Sequence, residues 1–385
     1  MKVSSPDTRK PSVAIIGTRG YPSYYGGFET AVRRLAPHLV DAGWDVTVYG
    51  RPGSTRVDDP TRDSRVTTRV TRGFETKSLS TLSYGFTSTL DAARRKPDVA
   101  LIMNVANGFW IPFLRMRGIP TLVNVDGIEW DRAKWGRLAK AVFFRGAKAT
   151  ARFATQLVFD AEAIGARWRR DFGRDGVFIP YGGDPQPELP IEPGLVHRGY
   201  ILVVARFVPE NTIPEFFEAC KDLAQRHDIV IVGSSGYGGE LDEAAAKLAA
   251  DYPRVKWLGH VSDDKRLFSL WQHAGVYFHG HSVGGTNPAL VQAMALGAPI
   301  VARDTVYNTE VLGESGIIAA VKRKSIIDAL NHILSDGVEQ ARYSELAKAR
   351  AADIYSWGSV LAGYENSLAT LSTREVKSRR VPSGS

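Results

Sequence analysis

The chain has a single cysteine, Cys220, among 385 residues. That excludes an intramolecular disulfide and a cysteine-rich metal site. No apolar run approaches ~20 residues, so no segment reads as a membrane-spanning helix. The stretch from Met1 to Lys10 is polar, and the first apolar run, Val13 to Ile16, is too short for the core of a signal peptide. A cytoplasmic location is the simplest expectation. Acidic residues are in deficit, with 41 Asp and Glu against 49 Lys and Arg, giving a net charge of +8. This excess predicts an anionic partner such as a nucleotide, a phosphorylated acceptor or a lipid surface. Nucleic acid is disfavoured, because no stacking platform or known reader motif accompanies the charge. A hydrophobic content of 44% supports well-filled cores, and the length favours two domains.

Those domains are legible as two series of short apolar runs alternating with helical segments. The first series is Val13 to Ile16, Val46 to Tyr49, Asp98 to Met103, Thr121 to Val125, Gln156 to Phe159 and Gly176 to Ile179. The second is Tyr200 to Val204, Ile229 to Val232, Val255 to Leu258, Val276 to Phe278 and Pro299 to Ala302. Such runs suit the buried strands of parallel sheets. The spacing predicts an α/β protein with an N-terminal domain over 1–185 (1–10 loose), a proline-rich linker at 186–199 and a second domain over 200–355. A returning helix at 356–372 and a disordered tail at 373–385 complete the expectation, with a cleft between the domains.

Two loops stand out. His279-Gly-His281-Ser-Val-Gly284-Gly285-Thr286-Asn287-Pro288 joins an apolar strand to a helix. Glycines allow close backbone approach, and the helix N-terminus favours negative charge. Thr286 or Asn287 can cap that helix, and Pro288 suits its first turn. Near the start, Gly26-Gly27 likewise precedes a helix and can line a cleft facing a phosphate or sugar. That loop is not Gly-x-Gly-x-x-Gly, and Gly50-Arg51 ends the second strand where a dinucleotide site needs an acid. A third feature is Arg132 to Arg152, which carries seven basic and no acidic residues among interleaved aromatics. It reads equally as an interfacial surface or as a solvated basic face over a core stripe. His279 and His281 lack a carboxylate or cysteine at ligand spacing, so no metal site is expected there.

From about Val13 to Leu368 the chain resembles the retaining nucleotide-sugar glycosyltransferases of family 4, with the two-Rossmann GT-B architecture. Ile16-Gly-Thr-Arg-Gly-Tyr-Pro22, Tyr25-Gly-Gly-Phe-Glu-Thr30, Asn124-Val-Asp-Gly-Ile-Glu-Trp130 and Gly280 to Pro288 are similar to bacterial rhamnosyltransferase-like members. The resemblance implies a metal-independent, cofactor-free transfer from a dTDP-, UDP- or GDP-sugar to a glycan or polyprenyl-diphosphate-linked acceptor, possible at the inner face of the plasma membrane. L-rhamnose from dTDP-rhamnose is the leading donor. The resemblance places Arg206 on the donor diphosphate; a lysine common five residues later is here Asn211. Of the family's glutamate pair, Gly284 and Gln292 occupy the positions. Gln292, a weaker acceptor than a carboxylate, fits a deoxyribose donor. Gly26, Gly27, Gly284, Gly285, Thr286, Asn287 and Glu310 complete the donor side. Asp126 is the implied acceptor-side catalytic carboxylate, as base or as orienting group, with Glu129 and Tyr181 beside the acceptor. The competing readings are a same-fold epimerase or phosphorylase, and an inactive glycan- or nucleotide-binding protein, which the altered glutamates and missing lysine favour.

Overall fold

The computed structural model describes residues 9–24, 26–55, 58–75, 80–132, 135–236 and 238–379, with side chains to Thr373. The leader at 1–8, Tyr25, Lys134 and positions 380–385 lie outside them. The chain forms two compact units, Met1–Ile179 with Val360–Ser385, and Pro180–Ser359.

Unit 1 contains β1 (Ser12–Ile16), α1 (Gly27–Asp41), β2 (Asp45–Gly50), β3 (Thr67–Val70), α2 (Ser80–Arg95), β4 (Val99–Met103), α3 (Ile111–Met116), β5 (Thr121–Asn124), α4 (Arg137–Phe153), β6 (Gln156–Phe159), α5 (Glu162–Phe172) and β7 (Val177–Phe178). Its strands form one parallel sheet in the order β3-β2-β1-β4-β5-β6-β7. The middle strands are buried throughout, as all five residues of β4 show, because helices cover both faces of such a sheet.

Unit 2 contains β8 (Tyr200–Val204), α6 (Ile213–Leu223), β9 (Asp228–Val232), α7 (Glu240–Asp251), β10 (Val255–Trp257), α8 (Asp264–His273), β11 (Val276–His279), α9 (Pro288–Ala295), β12 (Ile300–Arg303), α10 (Val306–Leu312), β13 (Ile317–Ala319), α11 (Arg323–Leu334) and α12 (Gly337–Ile354). Its parallel sheet runs β10-β9-β8-β11-β12-β13. The Phe216 and Phe278 rings stack at 5.0 Å and 11° inside the core formed by Ile201, Val203, Ile231 and Val301. This contact fixes β11 under α6, and with it the loop that follows β11. Strand β13 was not legible in the sequence, since Ile317–Ala319 is three residues long and only its last is fully buried.

Two sequence expectations change. The proline-rich stretch at 186–199 is not a free linker but a strap on unit 2. Ser269 donates to the Pro190 carbonyl at 2.5 Å, Leu189 N–H donates to Gln272 at 2.9 Å, and Arg266 grips Glu192 at 2.6 Å. The prolines keep the strap extended and leave carbonyls for α8 to bond. The expected tail from Thr373 begins too early, because α13 (Trp357–Arg379) continues through it. From Val360 this helix belongs to unit 1, where Val360, Tyr364, Leu368 and Leu371 are buried at helical spacing.

Candidate active site

In unit 2 the sheet order reverses direction between β8 and β11, the switch point where open α/β sheets leave a ligand crevice at their carboxyl ends. The loops after these two neighbouring strands are tied together. Asn211 donates to the Arg206 carbonyl at 2.9 Å, and Thr212 Oγ1 donates to the Gly280 carbonyl at 2.6 Å. Ser282 donates both its N–H and its hydroxyl to the Glu210 carbonyl, at 3.1 and 2.7 Å. Arg303 Nη1 donates to Thr212 Oγ1 at 3.0 Å, and Asn308 donates to the His281 carbonyl at 2.9 Å. A Cβ on Gly280 would lie 2.4 Å from the Asn211 carbonyl oxygen, so only glycine allows this approach.

The result is a fixed loop with an exposed arginine, Arg206, on the adjoining loop. Within the loop, Gly284 has φ +102°, which suits glycine, and Gly285 and Thr286 are buried. Asn287 caps α9 by accepting from Ala289 N–H at 3.0 Å, and Pro288 opens the helix. The N–H groups of Leu290 and Val291 both return to the Asn287 carbonyl. The N–H groups of the first turn of α9 are therefore spent internally, and the glycine pair Gly284–Gly285 stands in the loop just ahead of the helix.

His279 and His281 stack at 4.4 Å and 14° behind this loop, with Tyr277 OH 2.9 Å from His279 Nδ1. Burial pushes the His281 imidazolium down to about 4, and the Arg206 charge acts in the same direction. Burial also lowers His279 strongly, with His281 second. Both rings are neutral at pH 7. Among the described residues no cluster of three His, Cys, Asp or Glu side chains can hold a metal ion.

Gln292 is placed differently from the sequence expectation. Its Oε1 accepts from Asp184 N–H at 3.0 Å, and its Nε2 donates to the Asp184 carbonyl at 2.8 Å. The amide is matched to a peptide group, which a carboxylate cannot match, so Asp184 accounts for glutamine here without any argument from ribose. Glu310 sits half-buried on α10, and its carbonyl accepts from Arg350 at 2.8 Å.

In unit 1 the corresponding reversal lies between β1 and β4. Gly17, at φ +98°, passes so close that a Cβ would meet the Met103 carbonyl at 2.1 Å. Gly26 is the extended N-cap of α1 and Gly27 its first residue, while Glu29 in the first turn accepts from Arg19 N–H at 3.0 Å. Asp126 follows β5 in the left-handed region, φ +57°, a conformation that costs most side chains about 1 kcal/mol. Asn124 supports it: Oδ1 accepts from Asp126 N–H at 2.9 Å, and Nδ2 donates to Tyr364 OH at 2.7 Å. The returning helix α13 thus braces the turn that presents Asp126.

The remaining acceptor-side candidates are less available. Glu129 is 4% exposed, accepts from Trp135 Nε1 at 2.8 Å and pairs with Arg132, so it holds the basic segment in place. Tyr181 is buried and belongs to unit 2, not to the unit of Asp126. Sequence reasoning missed Asn124, Ser282, Asn308 and Asp184, whose bonds to Tyr364, Glu210, His281 and Gln292 join positions far apart in the chain and leave no local signal.

These features define a GT-B protein, with two Rossmann-like parallel-sheet units. Residues 26–182 match the model of the glycosyl transferase 4-like domain, and residues 198–336 match that of glycosyl transferases group 1. The chain belongs to family 4 of the GT-B glycosyltransferases. It is 25% identical to an MMP alpha-(1->4)-mannosyltransferase of Mycolicibacterium hassiacum over 93% of this chain and 98% of that one. It is 28% identical to a phosphatidyl-myo-inositol mannosyltransferase of Mycobacterium leprae over 51% and 54%. Among solved structures it resembles sucrose-phosphate synthase from Thermosynechococcus elongatus (TM-score 0.77, 18% identity, 95% and 100% covered). It also resembles HepE of Anabaena in complex with UDP (TM-score 0.72, 16% identity, 94% and 100% covered).

Proposed function

We propose that this glycosyltransferase moves one hexose from a nucleoside-diphosphate sugar to a hydroxyl of a glycan or polyprenyl-diphosphate-linked acceptor, with retention and without a divalent metal. The observation that carries this reading is Arg206 beside the Gly284–Gly285 loop at the crossover of β8 and β11. A guanidinium and the backbone N–H groups of the glycine pair there would stabilise the charge of a departing diphosphate. Thr286, Asn287 and Glu310 would line the donor sugar and nucleotide. Asp126, on its braced turn, would orient or deprotonate the acceptor hydroxyl. The UDP complex of HepE supports a nucleoside diphosphate as the leaving group, and the transferase names of the relatives support transfer over epimerisation or simple binding.

L-rhamnose is the sugar suggested by the motif resemblance, and D-mannose is the second reading because the relatives are named mannosyltransferases. Peripheral attachment to an anionic cytoplasmic surface is part of the proposal. It is supported by α4, which has no acidic residue, exposes Arg137, Arg145, Lys148 and Arg152, and leaves Leu138 79% exposed. No helix among the described residues is long and apolar enough to cross a membrane.

The test is thermal stabilisation by dTDP, UDP, GDP and ADP in excess chelator, followed by hydrolysis and transfer assays with dTDP-rhamnose and GDP-mannose. Stabilisation by one nucleotide, with turnover of its sugar, is the expected result. No stabilisation by any nucleotide would leave the transferase reading without a donor site.

A further inference from the structure

A second cationic feature lies in unit 1, at the end of β2 and against the loop that leads into α1. Arg51 directly follows β2 and is 6% exposed. Its Nε and Nη1 are enclosed and have no hydrogen-bond partner among the described residues. The guanidinium lies over the Tyr84 ring, 5.1 Å from its centroid. Its backbone N–H donates to the Arg19 carbonyl at 2.7 Å, which fixes a second arginine in the adjoining loop. That loop is pinned by contact: a Cβ on Gly50 would lie 2.8 Å from Gly20 Cα, and Thr18 donates to the Tyr49 carbonyl at 3.3 Å.

A buried guanidinium with unbonded N–H groups is unfavourable unless an anion completes it. Among the described residues no acceptor reaches its Nε or Nη1. Burial holds Arg51 below the ordinary arginine range, the Arg19 charge adds to this, and Glu75, Tyr84 and Glu29 only partly offset it. Of those acids, Glu29 already accepts the Arg19 N–H. Tyr84 stacking keeps the planar fork in one orientation, the usual geometry for an oxyanion held by arginine.

We infer that Arg51, on its Tyr84 platform beside Arg19, is a binding site for an oxyanion, a phosphate ester or a carboxylate. Assigning that group to the sugar acceptor rests on the transferase reading; the anion site itself does not.

The experiment uses the full chain at constant ionic strength, titrated with inorganic phosphate, hexose 1-phosphate and glucuronate, and read by calorimetry and melting temperature. Phosphate and its ester, or glucuronate, should bind saturably, and whichever binds names the chemistry. Arg51→Met should abolish that binding, and Arg51→Lys, which keeps the charge but loses the fork, should weaken it by about tenfold. If Arg51→Met does not fold, the Lys variant carries the comparison. Unchanged binding in Arg51→Lys and Arg51→Met, or no saturable binding by the wild type, would overturn the inference. Nucleoside-diphosphate stabilisation and donor hydrolysis, run in parallel, report on the transferase reading separately. Their failure alongside intact phosphate binding would remove the acceptor assignment and leave the anion site standing.

Discussion

Gln292→Glu restores the carboxylate that the family pattern places in the donor site, and the structure expects it to do harm. Gln292 is 9% exposed and exchanges two hydrogen bonds with the Asp184 peptide. An ionised Glu keeps the bond from Asp184 N–H but turns the donor at 2.8 Å into an oxygen facing a carbonyl oxygen. One buried acceptor then loses its donor and meets a like partial charge, a cost of about 1–3 kcal/mol. For a domain the size of unit 2 this lowers the melting temperature by about 2–12 °C. The effect carries a pH signature. A protonated Glu offers one O–H and one C=O, and so repairs both bonds. Its folded-state pKa is therefore raised, the deficit is smallest at low pH, and it grows as pH rises through that pKa. Differential scanning calorimetry at pH 5 and pH 8, with nucleotide titrations on the same samples, reads all of this. Equal stability at both pH values with tighter nucleotide binding would refute the reasoning and return Gln292 to the ribose.

Four further outcomes are expected. Arg206→Met should lower transfer by about 10²–10³-fold, the scale of a lost charge-stabilising donor, with little change in melting temperature because the side chain is exposed. Asp126→Gly relieves the left-handed strain at φ +57°, so unfolding assays should show equal or higher stability while single-turnover transfer falls by about 10² or more. His281, held neutral down to about 4, favours the native state above the ordinary histidine value and loses that preference as pH falls from about 6.5 towards 4. The loss is on the order of 3 kcal/mol, and denaturant unfolding of His281→Asn should show a flatter acid limb. Reversing Arg145, Lys148 and Arg152 to Glu should remove sedimentation with anionic vesicles without moving the melting temperature, and retained sedimentation would refute a membrane role for α4.

How much of this was legible in the sequence follows from the range of the interactions. Apolar runs such as Val-Ala-Leu-Ile-Met at 99–103 and Tyr-Ile-Leu-Val-Val at 200–204 are local signals, and both became buried central strands. Asn287 and Pro288 were readable for the same reason, since a cap is settled within three residues. Composition misled where the partner lay far off. Proline-rich 186–199 has the make-up of a linker, yet Ser269, Gln272 and Arg266, over seventy residues away, bind it. Gln292 read as a weakened ribose acceptor because Asp184, 108 residues earlier, leaves no mark near it. Position also mattered more than residue type for the acids. Asp126 and Glu129 are three residues apart, but Asn124 and Tyr364 hold the turn at the first while Trp135 and Arg132 occupy the second. A carboxylate that is 4% exposed and already bonded through both oxygens to an indole and a guanidinium has no free face for a hydroxyl, so burial and bonding separate two acids that the sequence could only rank.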